Sequence, residues 1–372
     1  MPRSSRSSSP QAPAENASAA ARSAASRSAL RTSTRTKPAL LALLLASLAT
    51  SGCYLSHLAE GQLRLLRARQ PIDALVADPA TPAELRQRLA LVGEARDYAA
   101  QIGLEVGGQY TSYVAWPGDR VVTAVVAARP GEVEPAGFWF PGLGTLPYKG
   151  FFDPARAERE AARLRADSLD VCLVPVPAYS TLGWFDDPVT QPMLRPGEGW
   201  LVETLLHELV HATAYLGDDP DWSEGVATFV GEEASVRFYQ ETRDAAAAAR
   251  RRLEVEEGRR IDAEILALRQ RVAELYAAQP AGPEREARRA ELERDTRAAV
   301  AGLHVETRDA AALGDQLLLN DACLAVTATY TADLAAFAGV LDALGGDVAA
   351  FVARVRAAAE TDEPKQALLA EP

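Results

Sequence analysis

Apolar residues recur along this chain with two different periods, and the places where the period changes divide it. From Leu58 to Arg69 and from Pro82 to Gly103 they return every three or four residues, which predicts two helices, the second opening at a Thr81 cap. Between residues 111 and 176 the character shifts. Val121–Ala128, Gly137–Phe140 and Asp170–Val176 are short apolar or aromatic runs bounded by Gly and Pro, so they are expected as strands, with a helix over Ala155–Ala166 between two of them. Leu201–Leu216 reads as a buried helix, Gly217–Trp222 as a turn, and the run opening at Ser223 as a second helix folding back on the first. Small Gly225 and Ala227 would let the two approach closely.

Residues 232–302 are dominated by Ala, Glu, Arg and Leu at helical spacing, and Gln279–Pro283 splits them into two long segments. A helical hairpin is expected, with Leu253, Ile261, Ile265, Leu268, Val272 and Leu275 as its seam and Arg and Glu on its outer faces. Asp315–Glu360 is again helical, broken at Gly345–Gly346. The fold class is therefore α+β, predominantly helical, with a small mixed sheet and a long helical hairpin.

Within the apolar helix stands His207-Glu208-Leu209-Val210-His211. A helix returns residues four apart to one face, so both imidazoles can grip one zinc ion while Glu208 sits beside the open coordination position. Zinc lowers the pKa of a water there, and Glu208 would take its proton as general base. Two histidines on an otherwise apolar segment would be costly without such a partner.

A third protein ligand leaves one tetrahedral position for water, and Glu224, thirteen residues after His211, is the leading candidate. Asp218 and Asp219 in the turn are alternatives, and Asp221-Trp222-Ser223-Glu224 also matches a capping box, in which Glu224 would only tie down a helix start. A metzincin pattern is excluded, because Ala214 and Gly217 stand where that pattern needs Gly and His. Glu203, one turn before His207, can hold an imidazole proton or remain a solvated charge.

The stretch His207–Glu233, taken with Ala178–Pro188 upstream, resembles the bacterial family of zinc-dependent aminopeptidases known from sequence, many of them lipoproteins. The resemblance extends to Gly61-Gln62-Leu63 with Pro71-Ile72, to Phe140-Pro141-Gly142 with Tyr148–Phe152, and to Asn320-Asp321-Ala322, covering most of residues 53–358. It implies a zincin-like metallopeptidase core, with His207, His211 and Glu224 as zinc ligands and Glu208 as catalytic base in the gluzincin manner. Zinc peptidases commonly add an extended substrate to a strand beside the metal, so Tyr179, Trp184 and Phe185 are candidate substrate-binding residues. No G-x-M-E-N strand is present to capture a free amine, which leaves Asp186, Asp187 or Glu232 to supply a negative charge for it. Asn320 and Tyr330 are polar members of an apolar region; either is a core hydrogen-bonder or reaches the site, with Tyr330 the weaker catalytic candidate for polarising the carbonyl. His57 and His304 lack ligand spacing and are expected at a surface or interface.

Residues 1–37 are rich in Ser, Ala and Arg, and Ala39–Ala49 is apolar but short for a membrane span. Thr50-Ser51-Gly52-Cys53 then looks like a bacterial lipobox, making Cys53 the lipidated first residue of a mature chain facing the periplasm. Residues 1–52 hold seven Arg or Lys and one acidic residue, so the remainder carries 32 basic and 50 acidic residues, a net charge of −18. Such acidity disfavours nucleic acid and adhesion to anionic lipid, so membrane attachment would rest on the lipid. Cys172 and Cys323 are expected as buried free thiols rather than a pair.

The organisation that follows is a leader over 1–52, an N-terminal helical segment over 53–110, the zincin-like core over 111–235, the hairpin arm over 236–305 and a C-terminal helical segment over 306–372. The function expected is a lipid-anchored zinc metallopeptidase acting on a peptide substrate. The alternative is a zinc-containing lipoprotein scaffold that binds a partner through its arm.

Overall fold

The computed structural model describes residues 54–140, 144–178, 185–214, 219–331 and 333–370. An α-helix over residues 54–67 (α1) leads through a short strand, Gln70–Pro71 (β1), to Ile72–Ala77 (α2) and Ala83–Gln101 (α3). Thr81 does not cap α3. Pro82 takes the N-cap position with no side-chain hydrogen bond, because its fixed φ already starts the turn. Ser112–Val114 (β2) pairs antiparallel with β1 and parallel with Val189–Thr190 (β8).

Val122–Ala128 (β3) is the centre of the larger sheet, antiparallel on one side to Tyr148–Phe151 (β6) and on the other to Asp170–Val176 (β7). All seven β3 residues are buried, because both faces are covered. Val125 and Ala127 pack with Ala157, Ala161 and Leu164 of Pro154–Ala166 (α4), while Val126 and Ala128 pack with Ala322 and Cys323 of Asp321–Thr331 (α10). Phe138–Phe140 (β4) and Gly144–Leu146 (β5) form a separate two-stranded hairpin. The expectation of free thiols is wrong: Cys172 on β7 and Cys323 on α10 form a disulfide, 151 residues apart in sequence. Only the packing of α10 on the sheet brings them together.

The main core lies among helices. Leu201, Val202, Leu205, Leu206 and Leu209 of Glu198–Thr213 (α5) are buried with Leu89, Val92 and Tyr98 of α3 and with Val226, Phe229, Val230 and Phe238 of Pro220–Thr242 (α6). Phe337 of Leu334–Ala343 (α11) and Phe351 of Val348–Ala359 (α12) close over Phe229. The hairpin is made by Ala245–Ala278 (α7) and Pro283–Ala301 (α8), and Ala310–Gln316 (α9) and Pro364–Leu369 (α13) complete the helices. It is built into the body: Leu268, Val272 and Leu275 pack not only with Leu292 of α8 but with Val133, Leu319 and Leu324. Tyr276 donates to Asp321 at 2.6 Å and Arg289 pairs with the same carboxylate at 2.9 Å. The fold is α+β and predominantly helical.

Candidate metal centre

The register of α5 decides where its two histidines go. Its leucines and valines fill the core side, which turns His207 and His211 towards α6. Gly231 of α6 lets the two backbones close: a Cβ there would lie 2.9 Å from the Glu203 carbonyl oxygen and 3.1 Å from the Cβ of His207. Any larger residue would push the helices apart. α6 begins three residues earlier than its apolar run suggests, with Pro220 in the first turn and Asp219 as N-cap accepting from the Trp222 amide at 3.0 Å. Glu224 is therefore past the first turn and is not the end of a capping box. Asp219 is engaged as that cap, and Asp218 lies outside the described residues.

Nε2 of His207 and Nε2 of His211 are 3.3 Å apart. The Glu224 carboxylate places one oxygen 3.3 Å from the first and the other 3.5 Å from the second. Donors held about 2.0–2.2 Å from a tetrahedral zinc lie roughly 3.3–3.5 Å from one another, and the separations here are of that size, with one ligand atom from each residue within 4.8 Å of the others. Among the described residues, no other set of three His, Cys, Asp or Glu side chains converges in this way. Burial disfavours an ionised Glu224, but hydrogen bonds from His207 and His211 outweigh it and bring its pKa to about 2. Burial likewise opposes charge on His211, yet the hydrogen bond to Glu224 and the charges of Glu208 and Glu224 raise its pKa. Glu208, half-buried between the histidines, is not one of the converging donors.

One neighbour of Glu208 carries no periodic signal in the sequence. Tyr110 is buried, and burial, then the charges of Glu208 and Asp187, raise its pKa well above the ordinary phenol value. Tyr110 adopts φ +58°, a backbone state uncommon outside glycine, and its amide donates to the Asp187 carbonyl at 2.7 Å. The Gln109 side chain donates to the Phe185 carbonyl and accepts from the Asp187 amide, at 2.8 and 2.7 Å. These bonds tie the 185–187 segment to the loop beside Glu208. Phe185 is 47 % exposed there, whereas Tyr179 and Trp184 lie outside the described residues.

Other candidates are engaged elsewhere. Glu203 does not hold an imidazole; it pairs with the buried Arg251, which also donates to Ser235 of α6 at 2.9 Å. Glu232 pairs with Arg259 at 2.8 Å and so offers no free carboxylate to an amine. Asp187 is buried, and exposed Asp186 packs over the backbone of Gly108. Asn320 donates to the Val171 carbonyl and accepts from the Cys323 amide, which makes it a helix-start residue. Tyr330 is on α10, its side chain outside the described residues. His304 is on the surface, but His57 is buried and accepts from the Phe152 amide at 3.1 Å, because α1 packs onto Phe152 through Gly61.

No curated protein and no solved structure matches the chain. The family model described as "Putative aminopeptidase" matches residues 53–369, most of the sequence. On that match, this chain belongs to that aminopeptidase family.

Proposed function

We propose that this family member is a zinc metallopeptidase that hydrolyses peptide bonds, with His207, His211 and Glu224 as metal ligands and Glu208 as general base. The supporting observation is the convergence of two imidazole nitrogens and one carboxylate at 3.3–3.5 Å, with Glu208 near enough for its charge to act on His211. When bound, zinc would supply Lewis-acid polarisation and a lowered water pKa. Glu208 takes a proton as water oxygen adds to the peptide carbonyl carbon, and returns it to the leaving nitrogen as the C–N bond breaks. The buried Tyr110 beside it excludes solvent from one flank. Phe185, with Tyr179 and Trp184 from the same segment, is assigned to substrate contact. Tyr330, on a helix that packs against α6, is assigned to the carbonyl oxygen. Asp186 is the remaining candidate to face a free amine.

The same reading places the protein on a bacterial membrane facing the periplasm, anchored through lipid on Cys53. Among the described residues no single helix is long and apolar enough to cross a membrane. The scaffold alternative is weaker, because the expected docking arm has much of its seam inside the body.

The decisive comparison is peptide hydrolysis by wild type and Glu208→Gln, both loaded with zinc. A loss of about 10²–10⁴-fold in kcat with zinc content unchanged is expected; equal turnover would exclude the mechanism. Labelled fatty acid entering the wild-type chain but not Cys53→Ser is expected in a bacterial host, and absence of label from both would remove the anchor.

A further inference from the structure

The β4–β5 hairpin is unlike the rest of the surface. Residues 135–148 contain no charged side chain, in a body whose net charge beyond residue 52 is −18. Period-two alternation sets its faces. Phe138 and Phe140 are half-buried, Phe138 packing on the β3, β6 and α4 core and Phe140 on the ring of Tyr54 at 5.7 Å. Trp139 between them is 72 % exposed. Across the hairpin all three β5 residues are exposed, and Leu146, Tyr148 and, in the first turn of α1, Leu55 add large exposed apolar surface. Gly137, at φ +73°, lets the strands close, since a Cβ there would meet the Thr145 methyl at 2.5 Å. The outward aromatic is thus held on a supported platform.

We propose that this hairpin is a membrane-interface contact, with Trp139, Leu146 and Tyr148 seated among the headgroups of a phospholipid bilayer. Trp and Tyr partition to that depth because an apolar ring and a polar handle are both satisfied there. The acidity of the body disfavours attraction to anionic lipid, and Lys149, the nearest cation in sequence, is paired with Glu160 at 3.2 Å. Apolar insertion, insensitive to salt, is what the surface offers. Tyr54, whose ring is tilted against Phe140, follows Cys53 in the sequence, so lipid on Cys53 would bring the hairpin's unit to the same bilayer. Only that last point rests on the lipid-anchor reading.

The test uses the mature chain from residue 53, acylated or carrying Cys53→Ser, with phosphatidylcholine vesicles whose acyl chains are brominated or plain. Bromine quenches only tryptophans that reach the bilayer, and residues 1–53 contain none. The expected result is a loss of emission in brominated vesicles, unchanged by salt, that disappears in Trp139→Phe for both forms of the chain. Equal quenching in wild type and Trp139→Phe, or none in either, overturns the proposal. An anchor that fails leaves the quenching of the Cys53→Ser chain in place, so the two readings fail separately. Concentration-dependent dimerisation lost in Trp139→Ser, with Trp139 shielded from bromine, would assign the surface to a second copy and also overturn it.

Discussion

The two sides of α6 bury carboxylates in opposite ways. Towards α5, Glu224 meets two imidazoles and no arginine, and its pKa falls to about 2. Towards α7, Glu232 and Glu233 meet Arg259 and Arg252 at 2.7–2.8 Å. Burial still pushes Glu232 up to about 7, Arg259 opposing it and Asp262 and Glu233 adding to it. Both interfaces satisfy buried charge, but guanidinium–carboxylate pairs complete themselves. An imidazole–carboxylate cluster keeps nitrogen and oxygen donors that a metal ion can take over from protons, which separates a candidate site from a structural clamp on one helix.

Substitutions at each interface should separate the two roles. Glu224→Ala should have the largest effect, weakening zinc by more than about 100-fold in a chelator competition while leaving the circular dichroism of the metal-free protein unchanged. Unchanged affinity would exclude Glu224 as the third ligand and return the role to Asp218 in the turn. Glu233→Ala should do the reverse. It strands Arg252 and leaves Arg259 with Glu232 alone, and should cost about 2 kcal/mol in urea unfolding, reduced from the value for a fully buried pair because both arginines are partly exposed, with zinc affinity unmoved. A metal defect in Glu233→Ala would mean that the two sides are not independent.

The smallest effect is a pH dependence. Burial raises the Asp262 carboxyl to about 6, Arg308 opposing it. A carboxyl whose pKa is raised by folding contributes stability that is full below its unfolded pKa and is lost as pH climbs through the folded value. Asp262→Asn, which stays neutral, should therefore gain on wild type by about 1–2 kcal/mol between about pH 4 and pH 8, measured by denaturant unfolding. A gap that is flat with pH would show that Asp262 is solvated.

Local pattern carried much of this architecture. β7 coincides with Asp170–Val176 because a continuous apolar run bounded by turn residues leaves few alternatives at that length. The helix over 154–166 and the break between α7 and α8 follow in the same way from Pro and Gly positions. Helix starts were less legible. Thr81 and Ser223 both look like openings, but prolines at 82 and 220, preset for helical φ, govern where α3 and α6 begin. The Cys172–Cys323 bond and the Tyr110–Glu208 proximity depend on elements that meet only in the folded chain, so spacing gives no access to them. The two histidines and Glu224 were legible because helix geometry fixes the first pair and a short turn limits where the third can return. The engagement of Glu203 by Arg251, 48 residues away, was not.

The most direct test is a crystal of the zinc-supplemented protein measured across the zinc absorption edge. One anomalous peak is expected about 2.0–2.2 Å from Nε2 of His207, Nε2 of His211 and a Glu224 oxygen, with its fourth position held by solvent. No peak at that point, or a fourth position closed by another side chain, would contradict the proposed mechanism.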